Sequence, residues 1–400
     1  MKNYIFTIVV SLVLFACAKK YKNFNSTIEF TSNVETYQNI GAWKSDLEGV
    51  EIIGLGENTH GLGEIFKAKT ELVKYLHEEL GFDLILFESG FGDAAIAWEK
   101  INEVTTEEYV RDFTSNFYYQ SEEIKELVEY VKSRNGKLTI QGIDCQPQQN
   151  YLNKSLEAMM WPLDSVLAKS VSAEMTNFNK MYQLEWDKDT IAFYNQKEKF
   201  IQFLRNYQVI LQEKKAEVTN AECGSFNAIE GLLRTYKNLQ FGELMEWPTS
   251  YNFRDRAMFE NVMWYKNKFP NSKIIIWAQN SHIENRAKLN DNVDWLGHLL
   301  HDRFGTKYYS IGSEVYSGKN MEYNSTFDFE HSDSSFLAFH LNELRKPKLL
   351  IHLREYSSEN FLNKELNGME SNGNIGTFIP NERFDAILFI KSSQPPNLLN

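Results

Sequence analysis

Short apolar runs alternate along the chain with longer stretches in which apolar residues return every third or fourth position. The runs at residues 51–55, 83–87, 137–143 and 273–278 have strand length, and residues 308–312, 349–353 and 385–390 repeat the pattern. Ile274-Ile275-Ile276-Trp277-Ala278 has no polar position, which predicts a strand covered on both faces. Residues 64–80 place Ile65, Ala68, Leu72, Leu76 and Leu80 on one helical face, and Gly81 ends the helix. Residues 92–103 also read as helix. Ser121 caps a further helix with Glu122 and Glu123 in its first turn, an apolar stripe at Ile124, Leu127, Val128 and Val131, and a stop at Asn135-Gly136. Residues 253–269 carry Met258, Val262, Tyr265 and Phe269 on one side, with Pro270 beyond.

Strands alternating with helices of this length predict an α/β fold: a mostly parallel central sheet flanked by helices. Between the third and fourth core strands the strand signal stops. Residues 146–250 carry long helical patterns instead, as at 193–211 and 227–239. They are expected to form a helical insertion, a lobe or lid, on a core built from residues 45–145 and 251–395.

The N-terminus has a different pattern. Lys2 precedes the apolar run 5–15, which is too short to cross a bilayer as a helix, and Leu14-Phe15-Ala16-Cys17 follows. Residues 1–16 read as a signal peptide, and the Cys after them resembles a bacterial lipobox. Acylation at Cys17 would make the chain a secreted lipoprotein, held to the cell envelope by its lipid and the polar tether 17–44.

The composition narrows the function. Of 400 residues 42% are hydrophobic, enough for a large core, and the net charge is −12 with no basic stripe. Nucleic acid is therefore not an expected partner. Cys145 and Cys223 read as buried small residues rather than a bridge, and no Cys or His spacing points to zinc. His298 and His301 lack a third ligand nearby and read as structural or surface residues; His77, beside Glu78 and Glu79, is expected in solvent. There is no Gly-x-Ser-x-Gly elbow, Walker loop or dinucleotide fingerprint. Neither a protein nucleophile, a metal nor another cofactor is expected, which leaves water activated by a histidine base.

Open parallel sheets bind ligands beyond the carboxyl ends of their strands. There the sequence places Gly56-Glu57-Asn58-Thr59-His60-Gly61, then Glu88-Ser89-Gly90, Asp144, Gln279-Asn280-Ser281-His282, and Ser313-Glu314. His60 between glycines is either a solvent-facing loop residue or a presented base, and Glu57 favours the latter by orienting an imidazole. Glu88 closes an apolar strand and needs a partner if it is not solvated. Arg254, on the apolar side of its helix, requires an anion: a protein carboxylate such as Asp144 or Asp255, or a substrate oxygen.

These blocks resemble the erythromycin esterase family. The resemblance rests on Gly54-Leu55-Gly56-Glu57-Asn58-Thr59-His60-Gly61, Phe87-Glu88-Ser89-Gly90-Phe91, Gly142-Ile143-Asp144, Arg254-Asp255-Arg256-Ala257-Met258, Trp277-Ala278-Gln279-Asn280-Ser281-His282 and Phe384-Asp385-Ala386, in order from about 45 to 392. It implies hydrolysis of a small ester or lactone by His-activated water, without a metal. His60 would be the base and Glu57 its orienting acid; Glu88 and His282 would complete the catalytic group. Lys69, Arg254, Gln279 and Asp144 would bind substrate, with His282 and Gln279 stabilising the oxyanion. The chain departs from the family in having Gln279 where a His is frequent and Lys69 where Arg is common. Two other readings are a lipoprotein that binds haem through His60 or His282, and an esterase of cell-surface polysaccharide metabolism.

Overall fold

The computed structural model describes residues 27–29, 44, 46–114, 116–146, 149–214, 223–285, 292–353, 360–370 and 374–399. The proposed signal peptide and Cys17 lie outside them.

Eleven strands are described: β1 (Thr27–Glu29), β2 (Ile52–Glu57), β3 (Leu84–Gly90), β4 (Thr139–Asp144), β5 (Ile274–Gln279), β6 (Tyr308–Glu322), β7 (Ser325–Glu330), β8 (Lys348–His352), β9 (Leu366–Met369), β10 (Ile375–Phe378) and β11 (Ala386–Ser393). Nine build one sheet in the order β1-β8-β11-β6-β2-β5-β3-β4, with β7 folded back on β6; β9 and β10 pair separately. The six strands from β11 to β4 are parallel to one another. Only β8, β1 and β7 join the sheet antiparallel. The fold is thus α/β with a mostly parallel central sheet.

Successive strand residues face opposite sides, so two cores form. Ile53, Leu55, Ile85, Phe87, Ile275 and Trp277 face one way, against Phe66, Leu72 and Leu76 of the helix Gly63–Leu80 and Leu127 and Val128 of Glu122–Ser133. Ile52, Leu84, Leu86, Ile274 and Ile276 face the other, against Met258 and Val262 of Thr249–Lys268 and Leu296 and Leu300 of Leu296–Phe304. Burial on both faces is why these strands read as continuous apolar runs. Gly81 ends the first helix at φ 72°, its N–H reaching the His77 carbonyl at 3.2 Å.

Between β4 and β5 the described residues are helical, at Gln149–Met160, Ser165–Trp186, Thr190–Glu213, Cys223–Tyr236 and the start of Thr249–Lys268. The first four share their own core, including Leu156, Met175, Phe178, Phe200, Leu204 and Tyr236, which meets the rest of the protein at Ile96.

Some elements differ from the sequence reading. The helix expected over 92–103 stops at Glu99, where 3-residue turns from Lys100 and Ile101 replace it. β6 continues ten residues past Gly312 and turns at Tyr323 into β7. That hairpin is half-exposed, so it carries no continuous apolar run. Thr27–Glu29, inside the segment read as a tether, pairs with Leu349–Ile351 of β8. Cys145 is a free, buried thiol; the Cys223 side chain is outside the described residues.

Parallel order brings the carboxyl ends of β2, β5, β3 and β4 to one edge. Glu57 lies level with Gln279, and the register shifts beyond Phe87 so that Gly90 pairs with Asp144. At this edge the backbones of β3 and β4 pack closely. A Cβ on Gly142 would stand 2.5 Å from the carbonyl oxygens of both Ser89 and Gly90. Gly142→Ala should therefore cost about 1–3 kcal/mol, the usual penalty for overpacking. Urea unfolding checks this; a change below about 0.5 kcal/mol would contradict the close approach.

Candidate active site

A cavity of about 670 Å³ opens at this edge, lined by Glu57, His60, Glu88, Asp144, Arg254, Gln279 and His282 among others. Seven of the eight site residues proposed from sequence therefore converge. The eighth, Lys69, does not reach the cavity.

The first half of the site is built on Glu57, the last residue of β2, whose side chain is wholly buried. Its Oε1 lies 3.0 Å from His60 Nδ1 and accepts a hydrogen bond from the Tyr119 hydroxyl. Its Oε2 accepts from Lys69 Nζ. Burial, together with Glu57, raises the Tyr119 phenol well above its ordinary value, so it stays a donor. Burial pulls Lys69 down to about 8 although Glu57 lies against it. The ammonium also sits 4.2 Å from the Trp277 ring centroid. His60 packs between Tyr118, stacked at 5.7 Å, and Tyr119, edge-on at 5.2 Å. With Nδ1 committed to Glu57, Nε2 is the nitrogen left for the cavity that His60 lines.

The expectation that Lys69 binds substrate is thus corrected. It is 1% exposed, one helix face behind Glu57, and its charge is spent on that carboxylate. His77 also departs from expectation: it is half-buried, with Nδ1 2.6 Å from the Phe82 carbonyl oxygen.

The second half is a network around Arg254. Nε lies 3.2 Å from both oxygens of Asp144, and Nη2 donates to Asp144 at 2.6 Å and to Glu88 at 2.8 Å. Of the partners left open for Arg254, Asp144 is the one it meets. The other Glu88 oxygen accepts from the Gln279 backbone N–H at 2.9 Å. Burial opposes a charge on Glu88, but His282 and Arg254 outweigh it and hold the carboxyl well below the usual range.

His282 sits on the turn after β5, with Nδ1 2.8 Å from Asp255. Its Nε2 is 3.1 Å from Arg254 Nη1 and 3.4 Å from Glu88. These two contacts exclude each other, since Arg254 requires a bare nitrogen and Glu88 an N–H. Burial disfavours the imidazolium, yet Asp255 and Glu88 overcome it and raise His282 to about 10. At neutral pH the proton therefore stays, and Nε2–H belongs to Glu88.

A model of the erythromycin esterase family matches residues 77–393, most of the chain. The chain belongs to the erythromycin esterase family. Relatives agree. YbfO of Bacillus subtilis (strain 168), named as an inferred hydrolase, is 29% identical over 70% of this chain and 68% of its own. An erythromycin esterase type II of Escherichia coli is 25% identical over 71% and 73%. These relatives and the family support a hydrolase acting on esters. Among solved structures, a protein described as a succinoglycan biosynthesis protein superposes with a TM-score of 0.72 at 20% identity, covering 96% of this chain and 98% of that one. An erythromycin esterase mutant in its open conformation gives 0.64 at 18%, covering 91% and 96%. At these identities the superpositions establish the fold. The family match begins after Glu57, His60 and Lys69, so their place in the site rests on the geometry above.

Sequence reasoning missed Tyr118, Tyr119 and Asp255 as site residues. The two tyrosines lie on an isolated 3-10 turn, Phe117–Tyr119, with no periodic signal. Asp255 was considered as a partner of Arg254 and instead holds His282.

Two outcomes follow. Lys69→Met leaves Glu57 buried without its cation and should cost about 3–5 kcal/mol in denaturant unfolding; a change under 1 kcal/mol would contradict the pairing. His282 binds its proton more tightly folded than unfolded. Its contribution is full below its ordinary value of 6.5 and is lost as the pH rises toward about 10. His282→Gln should therefore destabilise more at pH 6 than at pH 10, and equal losses would refute a protonated ring.

Proposed function

We propose that this protein hydrolyses an ester or lactone by direct attack of water, with His60 as general base and no covalent enzyme intermediate. The observation that carries this reading is the Glu57–His60 contact at the cavity wall, 3.0 Å long. Glu57 fixes the Nδ1–H tautomer and favours the imidazolium that forms when Nε2 takes a proton from water. The water oxygen bonds to the carbonyl carbon, and the carbonyl pair moves onto its oxygen. Collapse expels the alcohol, which takes the proton from His60 as it leaves. Lys69 and Tyr119 hold the Glu57 carboxylate in place against His60.

The oxyanion needs donors that are aimed before it forms. From sequence this part falls to His282 and Gln279. His282 is 2% exposed and engaged at both nitrogens, which favours it as a brace for Glu88 and Arg254. Arg254, with 19% of its side chain exposed, and Gln279 at the cavity wall are the better placed donors. The Leu14–Cys17 sequence supports an envelope-anchored lipoprotein as the carrier of this activity, with small-molecule esters as its substrates.

His60→Ala should retain the fold and lose roughly 10²–10⁴-fold in kcat against a panel of aryl esters, lactones and acyl sugars. Turnover within a factor of two of the unmodified protein would exclude His60 as the base.

A further inference from the structure

We propose that the outer wall of the cavity is a sugar-binding subsite, so that the ester hydrolysed at His60 is carried on a neutral sugar ring. This rests on the hydrolase reading for its role but on separate residues for its recognition. Trp247 and Tyr251 line the cavity while remaining 59% and 41% exposed. Large aromatic rings left open at a cavity rim are unspent contact area. Their ring centroids are 4.9 Å apart. Tyr251 meets Trp295 at 5.6 Å, and Trp295 meets His282 at 5.4 Å. Three ring contacts therefore run from the buried network to solvent.

The platform is registered with the chemistry. Tyr251 is three residues before Arg254 on one helix, so the two share a face. Trp295 precedes a helix whose Leu296 N–H is held at 2.9 Å by Asp255, the carboxylate that also holds His282. Tyr251, Gln146 and Arg254 further border a smaller recess of about 170 Å³ in the helical lobe, lined by Tyr182, Tyr236 and Phe253.

The surroundings select among ligands. Asn116, Gln146 and Asn374 line the same cavity as the rings. An alkyl chain would set the Gln146 amide against hydrocarbon, at a cost. A cation would find no free carboxylate. Arg254 neutralises Glu88 and Asp144, and Arg383 lies 2.8 Å from Glu370 on the cavity wall. A pyranose suits both sets of groups, presenting C–H bonds to the rings and hydroxyls to the amides.

The test uses the full chain titrated with methyl β-glucopyranoside and its 6-O-acetyl ester, read by tryptophan fluorescence and ligand saturation-transfer NMR. Trp247→Ala should weaken both at least ten-fold. Trp247→Phe should retain at least a third of the affinity, and Trp161→Ala, an exposed tryptophan outside the cavity, all of it. Equal affinity in Trp247→Ala overturns the subsite. So does a Trp247-dependent response to butyl acetate or tetramethylammonium but not to the glycosides. Hydrolysis of 4-nitrophenyl acetate without Trp247-dependent glycoside binding sinks the subsite and leaves the hydrolase. Glycoside binding without hydrolysis of any ester supports the subsite and sinks the hydrolase.

Discussion

A carboxylate with no solvent exposure closes the central strand β2, and the site is arranged around pairing its two oxygens. Removing an ion from water costs several kcal/mol even after relaxation. Glu57 offsets this with a cation, a phenol and an imidazole on its two oxygens. Each partner comes from a different segment: Lys69 from the first helix, Tyr119 from the turn after the Thr106–Phe113 helix, His60 from the loop after β2 itself. Those segments must dock in one register, or the charge is left unpaired. The interaction that orients the base is therefore also one that ties one face of the sheet together.

The Arg254 network applies the same physics at the other wall. Four strands that end level deliver Glu57, Glu88, Asp144 and Gln279 to one edge, and a helix from beyond the lobe brings Arg254 and Asp255 to meet them. Arg254 and His282 together answer Glu88, Asp144 and Asp255. Its geometry is braced from both sides, which leaves His60, with one nitrogen committed, as the histidine suited to proton transfer. Two histidines, each three residues past the end of its strand, thus take different parts because their neighbours differ: one touches a carboxylate at one nitrogen, the other at both.

Much of this was legible beforehand. Strands β2, β3 and β5 are buried on both faces, so their apolar runs were unbroken, and the rule for parallel sheets then located the site. Lys69 was misplaced although its signal was present. It stands four residues after Ile65 and three before Leu72, on the apolar face of its helix, where a lysine must meet an anion. Tyr119 could not be found that way, because its contact spans 62 residues and arises only when the turn docks. The β6–β7 hairpin was missed because it is half-exposed, and Phe327 and Phe329 alternate with polar residues in too short a stretch to stand out. The aromatic rim lies where a helix joins the lobe to the core, and no periodicity marks it.

The claim on which the account depends is that Glu57 holds His60 with its proton on Nδ1 and its lone pair on Nε2. Nitrogen-15 NMR of histidine-labelled protein reads this directly. At a pH where the ring is neutral, His60 is predicted to show a protonated Nδ1 and a bare Nε2, and Glu57→Gln to remove that preference. A neutral His60 with its proton on Nε2, unaffected by Glu57→Gln, would contradict the account.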